Sequence, residues 1–165
     1  MTDLPVLLYH LERMNASADD QGTLVSRSTA DTIEIGRRIG RSLRPGAVIG
    51  LEGPLGAGKT TLVKGIAQAL GVREPVTSPT FTLVSEYGAV LEDRPVPLYH
   101  VDLYRIGHLA ELEDLGLEEL LAGPGVAVIE WSEKAKAFLP EDCIRVRITL
   151  CPDGQRTLAV EGLAL

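Results

Sequence analysis

Residues 53–60 read Gly-Pro-Leu-Gly-Ala-Gly-Lys-Thr and fit the pattern G-x-x-x-x-G-K-[ST] at every fixed position. The apolar run 47–51, Ala-Val-Ile-Gly-Leu, precedes this stretch and predicts a buried parallel strand. Apolar residues at helical spacing follow it, and Gly71 is placed to end that helix. A strand, a glycine-rich loop and a helix in this order predict a phosphate-binding loop.

The residue types in this loop suit a bound polyphosphate. Glycines let the backbone approach the phosphates closely, so that its N–H groups and the positive end of the helix dipole converge on them. We expect Lys59 to reach the β- and γ-phosphates and the hydroxyl of Thr60 to coordinate Mg²⁺. The expected nucleotide-binding positions in the loop are Gly53, Gly56, Ala57, Gly58, Lys59, Thr60 and Thr61.

Length and composition indicate one globular domain. The chain has 165 residues, of which 45% are hydrophobic and 24% charged. The net charge of −7 argues against tight direct binding to nucleic acid, which needs clustered Lys and Arg. Cys143 and Cys151 fall at opposite ends of a predicted strand, too far apart for a disulfide. Without a membrane-spanning stretch or a secretion signal pattern, we expect a cytoplasmic protein.

Residues 1–22 carry no recognisable chemistry and are expected to form a partly mobile extension before a domain at 23–165. Within the extension, Leu4–Leu11 is apolar enough for a strand or a short helix. The domain's first helix is predicted from Ser28, whose side chain would cap it together with the acidic Asp31. This helix should end before residues 45–46, Pro-Gly.

The middle of the chain predicts a loop, two strands and a helix. Prolines exclude a helix at 75–81, and the hydroxyls there suit either a segment that senses the γ-phosphate or a plain polar turn. Strands are predicted at 82–87 and 98–102, joined as a hairpin. The composition of 109–121 is helical and strongly acidic, which favours a solvated face over a specific docking surface.

Two carboxylates end predicted strands and are candidates for the acidic partner of Mg²⁺. Glu130 follows the apolar run 126–129 and ranks first, whereas Asp102 ends a less apolar strand and could bind the metal or orient the attacking water. Trp131 suits core packing slightly better than a ligand contact.

Alternating residues at 144–150, a turn at 152–154 and a returning strand predict an antiparallel hairpin. The fold class is therefore α/β: one domain like a P-loop NTPase, with a mixed sheet, parallel at its centre and antiparallel at its additions, and helices on both faces.

Four stretches together resemble one family. They are the loop 53–61, Ser-Pro-Thr-Phe-Thr at 78–82, His-Val-Asp-Leu-Tyr-Arg at 100–105 and Ile-Glu-Trp at 129–131. In this order and spacing, over residues 28–139, they resemble the TsaE (YjeE) family of ATPases, which act in threonylcarbamoyladenosine modification of tRNA. The loop alone is common, whereas the four motifs together are specific.

The resemblance implies a function and assigns site residues. It implies that the protein binds ATP with Mg²⁺ and hydrolyses it slowly. It also implies that the protein acts on the complex of the partner proteins TsaD and TsaB and contacts tRNA only indirectly, through that complex. It implies catalytic or metal roles for Lys59, Thr60, Asp102 and Glu130. The family pattern Ser-x-x-x-Thr-x-x-x-Gly, here Ser28, Thr32 and Gly36, makes Thr32 an ATP contact, and further nucleotide contacts fall at Thr80 and Trp131.

Pro54 departs from the family pattern, which usually has Asp at this position. We expect phosphate binding to survive, while the geometry at the start of the loop changes. Two other functions share the loop: a small-molecule or nucleoside kinase, which needs an acceptor pocket and usually an Arg-bearing lid, and a binding module that senses ATP with little turnover. The base-reading Asn-Lys-x-Asp pattern of GTPases is absent from the sequence.

Overall fold

The computed structural model describes residues 22–79, 81–108 and 110–165, which contain both strands and helices. The predictions for 1–21, including Leu4–Leu11, and for Thr80 and Leu109 lie outside these residues. The strands are β1 (Gly22–Ser26), β2 (Val48–Glu52), β3 (Val84–Leu91), β4 (Arg94–Asp102), β5 (Val126–Glu130), β6 (Ile144–Leu150) and β7 (Arg156–Glu161). The helices are α1 (Thr29–Arg41), α2 (Lys59–Ala69), α3 (Ala110–Asp114) and α4 (Leu117–Leu121), with a short 3-10 helix at Ser132–Ala135.

The strands of the described residues form one mixed sheet in the order β1-β7-β6-β2-β5-β4-β3. The four central strands, β6, β2, β5 and β4, pair in parallel. The outer pairs, β1 with β7, β7 with β6 and β3 with β4, are antiparallel. The predicted mixed sheet with a parallel centre is confirmed.

Each face of the sheet is covered by helices because the central strands are apolar on both sides. In β5, Val126 and Val128 pack toward α1 and α2, whereas Ala127 and Ile129 pack toward α3 and α4. Every residue of β5 is buried, including its terminal Glu130. Because both faces of this strand are buried in the apolar core, a carboxylate can reach a site only from the end of the strand, which is where Glu130 lies.

Helices α1 and α2 pack in close contact on one face of the sheet. A Cβ added to Gly65 would lie 2.1 Å from the carbonyl oxygen of Ile33, and one added to Gly36 would lie 2.4 Å from that of Leu62. Only hydrogen fits at these two positions. The predicted cap of α1 is confirmed, since the Asp31 amide donates to Ser28 Oγ at 3.0 Å. The close crossing fixes α1 beside the beginning of α2.

Three element predictions need correction. The helix predicted over 109–121 is two short helices, because Gly116 adopts a left-handed conformation (φ 66°) between Asp114 and Leu117. The predicted hairpin strands are longer and start elsewhere, at Val84–Leu91 and Arg94–Asp102, with only Glu92 and Asp93 left in the turn. Strand β1 was not predicted, because it is short and is defined by pairing with the distant β7.

Two smaller findings complete the fold. Cys143 and Cys151 are both free thiols, and burial raises the pKa of Cys143 to about 11. Among the helices of the described residues, none has the length and apolar character needed to cross a membrane.

Candidate functional site

The carboxyl ends of the three neighbouring strands β2, β5 and β4 meet at one edge of the parallel sheet. Asp102 at the end of β4 is paired in register with Glu130 at the end of β5, and Glu130 is paired in turn with Leu51 of β2. β2 leads directly into the glycine-rich loop. Ligands of open parallel sheets bind outside the carboxyl ends of the strands, so this edge is the expected position of a site.

The loop adopts a backbone that requires glycine at its two ends. Gly53 has φ 146°, and a Cβ there would lie 2.6 Å from the carbonyl oxygen of Ile148. Gly58 has φ 102° and precedes α2 without any side-chain cap. The first amide groups of α2 therefore have no side-chain acceptor, and they point toward the hollow of the loop with the positive end of the helix dipole.

Lys59 is held inside this hollow. The residue is 4% exposed, and Nζ donates to the carbonyl oxygens of Gly53 at 2.7 Å and Pro54 at 3.0 Å. Nζ also lies 3.9 Å from the centre of the Trp131 ring. Burial lowers the pKa of Lys59, and the charges of Glu130, Glu133 and Asp102 oppose that shift. A buried ammonium held only by neutral groups is well placed to receive an anion.

Glu130 joins the loop to the centre of the sheet. Its Oε1 accepts a hydrogen bond from Thr60 Oγ1 at 2.7 Å and lies 2.9 Å from His100 Nε2. His100 is fully buried, Glu130 is 3% exposed, and His100 Nδ1 has no hydrogen-bond partner within the described residues. The pair fixes the Glu130 carboxylate beside the start of α2.

Asp102 accepts hydrogen bonds from two different loops beside the site. Its Oδ2 accepts from Ser78 Oγ at 2.5 Å, and its Oδ1 accepts from the Tyr104 amide at 3.0 Å. The first bond ties the proline-stiffened segment 76–79 to the end of β4. Asp102 therefore positions two loops around the cleft in addition to lining it.

A cleft of about 470 Å³ opens between the loop and these strand ends. It has cationic groups from Lys59, Arg105 and Arg156 and carboxylates from Asp102 and Glu130. Of the predicted site residues, it brings together Gly56, Ala57, Gly58, Lys59, Thr60, Thr61, Asp102, Glu130 and Trp131. Trp131 both packs on the core beneath it and faces the cleft, so its two expected roles are compatible.

Two predicted contacts lie apart from the cleft lining. Thr32 is 1% exposed, and its hydroxyl is bonded to Ser26 Oγ at 2.7 Å and to the carbonyl oxygen of Ser28 at 3.2 Å. Its methyl group lies 3.8 Å from the position that a Cβ on Gly58 would take, and its contact with ATP stays a prediction. Gly53 takes part through its carbonyl oxygen, which holds Lys59. The predicted contact of Thr80 falls outside the described residues.

Sequence reasoning did not single out four residues that shape the site. Tyr104 and Arg105 line the cleft, and the Tyr104 ring lies 5.1 Å from that of Trp131. His100 stands in a quoted motif, but only the fold shows its contact with Glu130. Arg156 donates from Nε to the carbonyl oxygen of Ala57 at 2.8 Å, across 99 positions of the chain. No signal in the terminal hairpin marked Arg156 as part of a site.

The oxygen atoms at this site suit a hard cation that is also coordinated by a phosphate ligand. Across residues 22–79, 81–108 and 110–165, no three His, Cys, Asp or Glu side chains are grouped as a metal site. Mg²⁺ at a nucleotide site is typically held by one or two protein oxygens together with phosphates and water. Thr60 and Glu130 supply such oxygens at bonding distance from one another.

Fold and loop together define a P-loop-type α/β protein. The crystal structure of YdiB from Bacillus subtilis superposes with a TM-score of 0.72 at 33% identity, covering 86% of this chain and 85% of that one. The chain belongs to the TsaE family: the model of that family, described as threonylcarbamoyl adenosine biosynthesis protein TsaE, matches residues 26–158.

Two named relatives cover most of the chain. The tRNA threonylcarbamoyladenosine biosynthesis protein TsaE of Treponema pallidum is 44% identical over 136 residues, covering 82% of this chain and 97% of that protein. The protein of the same name from Streptomyces coelicolor is 49% identical over 135 residues, covering 79% and 89%. The family resemblance carried by the four motifs is confirmed, and so is the fold class expected from the predicted strands and helices.

Proposed function

We propose that this chain binds ATP with Mg²⁺ in the cleft, hydrolyses it slowly, and serves tRNA threonylcarbamoyladenosine biosynthesis as an accessory ATPase. The observation that carries the proposal is the 2.7 Å contact between Thr60 Oγ1 and Glu130 Oε1. It joins the hydroxyl of a phosphate-binding loop to a carboxylate at the end of the next parallel strand. In nucleotide sites this pairing of groups serves metal and phosphate together.

The loop and Lys59 would bind the phosphates. The uncapped start of α2 offers amide groups, and Lys59 offers an ammonium whose present partners are neutral carbonyl oxygens. Exchange of those weak acceptors for phosphate oxygens would give charge-assisted hydrogen bonds. Arg105 lies at the same cleft with its guanidinium 5.0 Å from the Phe81 ring. The local excess of cations favours an anionic ligand in an otherwise acidic protein.

Thr60 and Glu130 would hold the metal, with Asp102 close by. Mg²⁺ supplies positive charge that offsets the negative charge on the transferring phosphoryl group. His100 orients the Glu130 carboxylate, and buried Glu130 in turn orients the Thr60 hydroxyl. Asp102 holds Ser78 and the Tyr104 amide, so we assign it the role of ordering the segment that faces the terminal phosphate and its water.

The pathway follows from family membership and from the names of the relatives. By the family resemblance, the partners are TsaD and TsaB, and the ATPase acts on their complex. The net charge of −7 favours indirect contact with tRNA, made through those partners. The cytoplasm is the compartment that this role implies.

Binding and product analysis test the biochemical part of the proposal. We expect isothermal titration to show ATP binding that is tighter with Mg²⁺ and weaker in Lys59→Ala. Free phosphate released without any acceptor would support an ATPase. ADP formation only in the presence of a nucleoside or small-molecule acceptor, which takes the phosphoryl group so that no free phosphate appears, would contradict it and identify a kinase. Tight binding with no product at all would identify the binding module.

A further inference from the structure

We propose that Arg156, from the C-terminal hairpin, is a ligand-binding residue of the cleft and donates to the phosphates of the bound nucleotide. This inference rests on the proposed function and extends it to a strand outside the four motifs. Arg156 begins β7, where it pairs with Ser26 of β1 and Leu150 of β6. The fold thus carries its side chain to the loop from the antiparallel side of the sheet.

One contact orients the guanidinium. Nε donates to the carbonyl oxygen of Ala57 at 2.8 Å, and a Cβ on Gly58 would lie 3.3 Å from the same nitrogen. The side chain therefore lies flat against the last two residues before Lys59. Because Nε points at the loop backbone, the plane of the guanidinium and its two terminal nitrogens have a fixed direction beside the cleft, which Arg156 lines.

Most of the donor capacity of Arg156 is still available. An arginine has five N–H donors, and the bond to Ala57 uses the one on Nε. Within the described residues, the terminal nitrogens make no hydrogen bond, and no carboxylate forms an ion pair with this side chain. A permanent cation that lines a phosphate-loop cleft without an anionic partner is suited to a phosphate ligand.

The neighbouring Arg147 provides a matched contrast. It lies on β6 of the same hairpin, but its side chain is 64% exposed and its guanidinium is paired with Glu52 at 3.1 Å. It lines a second depression, together with Gly53 and Pro54, and is not among the residues that line the cleft. Two arginines of equal charge on adjacent strands therefore differ in the features that the inference requires: only Arg156 lines the cleft, and Arg147 is already paired with a carboxylate.

The test compares Mg-ATP affinity by isothermal titration for wild type, Arg156→Gln, Arg156→Lys and Arg147→Gln. We expect Arg156→Gln to weaken binding roughly 10- to 100-fold, the size of a lost hydrogen bond to a charged group. Arg147→Gln, with the same change of net charge, should stay within about twofold because exposed ion pairs contribute little. Arg156→Lys, which keeps the charge but loses the planar fork, should lie between wild type and Arg156→Gln.

The dependence of affinity on salt separates ligand contact from loop support. A guanidinium that touches phosphate makes affinity fall with ionic strength, so Arg156→Gln should show a shallower dependence than wild type. An arginine that only anchors Ala57 would change the thermal midpoint and leave the salt dependence unaltered, which would overturn the inference. Equal affinity of wild type and Arg156→Gln, or equal losses in Arg156→Gln and Arg147→Gln, would overturn it as well.

Binding of Mg-ATP by wild type separates the role of Arg156 from the proposed function. If wild type binds Mg-ATP and Arg156→Gln binds it equally well, only the role of Arg156 is refuted. If wild type does not bind Mg-ATP, the proposed function itself is refuted, and the role of Arg156 is refuted with it.

Discussion

The hydroxyl of Thr60 lies 2.7 Å from the carboxylate of Glu130, although the two residues are 70 positions apart. Thr60 stands in the first turn of α2, and Glu130 ends the strand that is parallel to the one before the loop. Parallel pairing of β2 and β5 places both carboxyl ends at one edge of the sheet. The contact is thus a direct product of topology, and it is the place where we propose that Mg²⁺ binds.

Glu130→Gln tests this contact. The amide keeps the shape of the side chain and an acceptor oxygen for Thr60 but removes the charge that Mg²⁺ requires. We expect Mg²⁺-dependent phosphate release to fall about tenfold or more, given the size of charge stabilisation at metal sites. The measurement is phosphate release at saturating Mg-ATP, with circular dichroism to verify folding.

A matched control is Glu133→Gln. Glu133 is exposed on the adjacent 3-10 helix, so this substitution removes the same charge from a nearby position outside the Thr60 contact. It should keep near-wild-type activity. If Glu130→Gln remains active while Asp102→Asn is inactive, Asp102 is the metal carboxylate and our ranking of the two is reversed.

Lys59→Ala tests the phosphate contact. The substitution removes an ammonium that now bonds two loop carbonyls and lies over the Trp131 ring. We expect affinity for ATP to drop roughly 10- to 100-fold through the loss of charge-assisted hydrogen bonds. Isothermal titration measures it, with Lys64→Ala on the exposed side of the same helix as control. Unchanged affinity for ATP in Lys59→Ala would show that the loop does not bind the phosphates.

The loop and its carboxylate partner could be predicted from sequence because each is a local pattern. Residues 53–60 match a motif, and Glu130 follows an unbroken apolar strand. Arg156 could not be predicted, since its place beside Ala57 depends on β7 pairing between β1 and β6. The break at Gly116 was also missed, because leucine and glutamate favour a helix on both sides of it. Site residues that belong to local sequence motifs could be predicted, whereas contacts that depend on pairing between distant strands could not.

His100 is predicted to be a positioning residue for Glu130. His100→Leu removes the group 2.9 Å from the carboxylate, whereas His100→Gln keeps a donor there. Partners that orient metal ligands typically contribute about 10- to 100-fold in metal affinity. We therefore expect His100→Leu to raise the Mg²⁺ concentration for half-maximal activity about tenfold, and His100→Gln to restore part of the loss.

The exposed His108 provides the control for this prediction, since His108→Gln should leave the Mg²⁺ requirement unchanged. A purely structural role for His100 would lower the thermal midpoint of His100→Leu without moving its Mg²⁺ requirement. That pattern would contradict the prediction.

Gly65→Ala tests the close crossing of α1 and α2. The added methyl group would lie 2.1 Å from the carbonyl oxygen of Ile33, which is backbone and cannot move aside. We expect the free energy of unfolding to fall by about 1–3 kcal/mol, as for overpacked cores, measured by urea denaturation. Gly88→Ala in β3 is the control, because a Cβ there meets nothing within 4 Å. Equal stability of Gly65→Ala and wild type would refute the packing argument.

Phosphate release from Mg-ATP, measured for this protein alone and then with TsaD, TsaB and tRNA, tests the central claim most directly. The account predicts slow release alone, stimulation by the complete set of partners, and loss of both in Glu130→Gln. Turnover that the partners leave unchanged would contradict the assignment to the modification cycle. Turnover that persists in Glu130→Gln and Lys59→Ala would contradict the site itself.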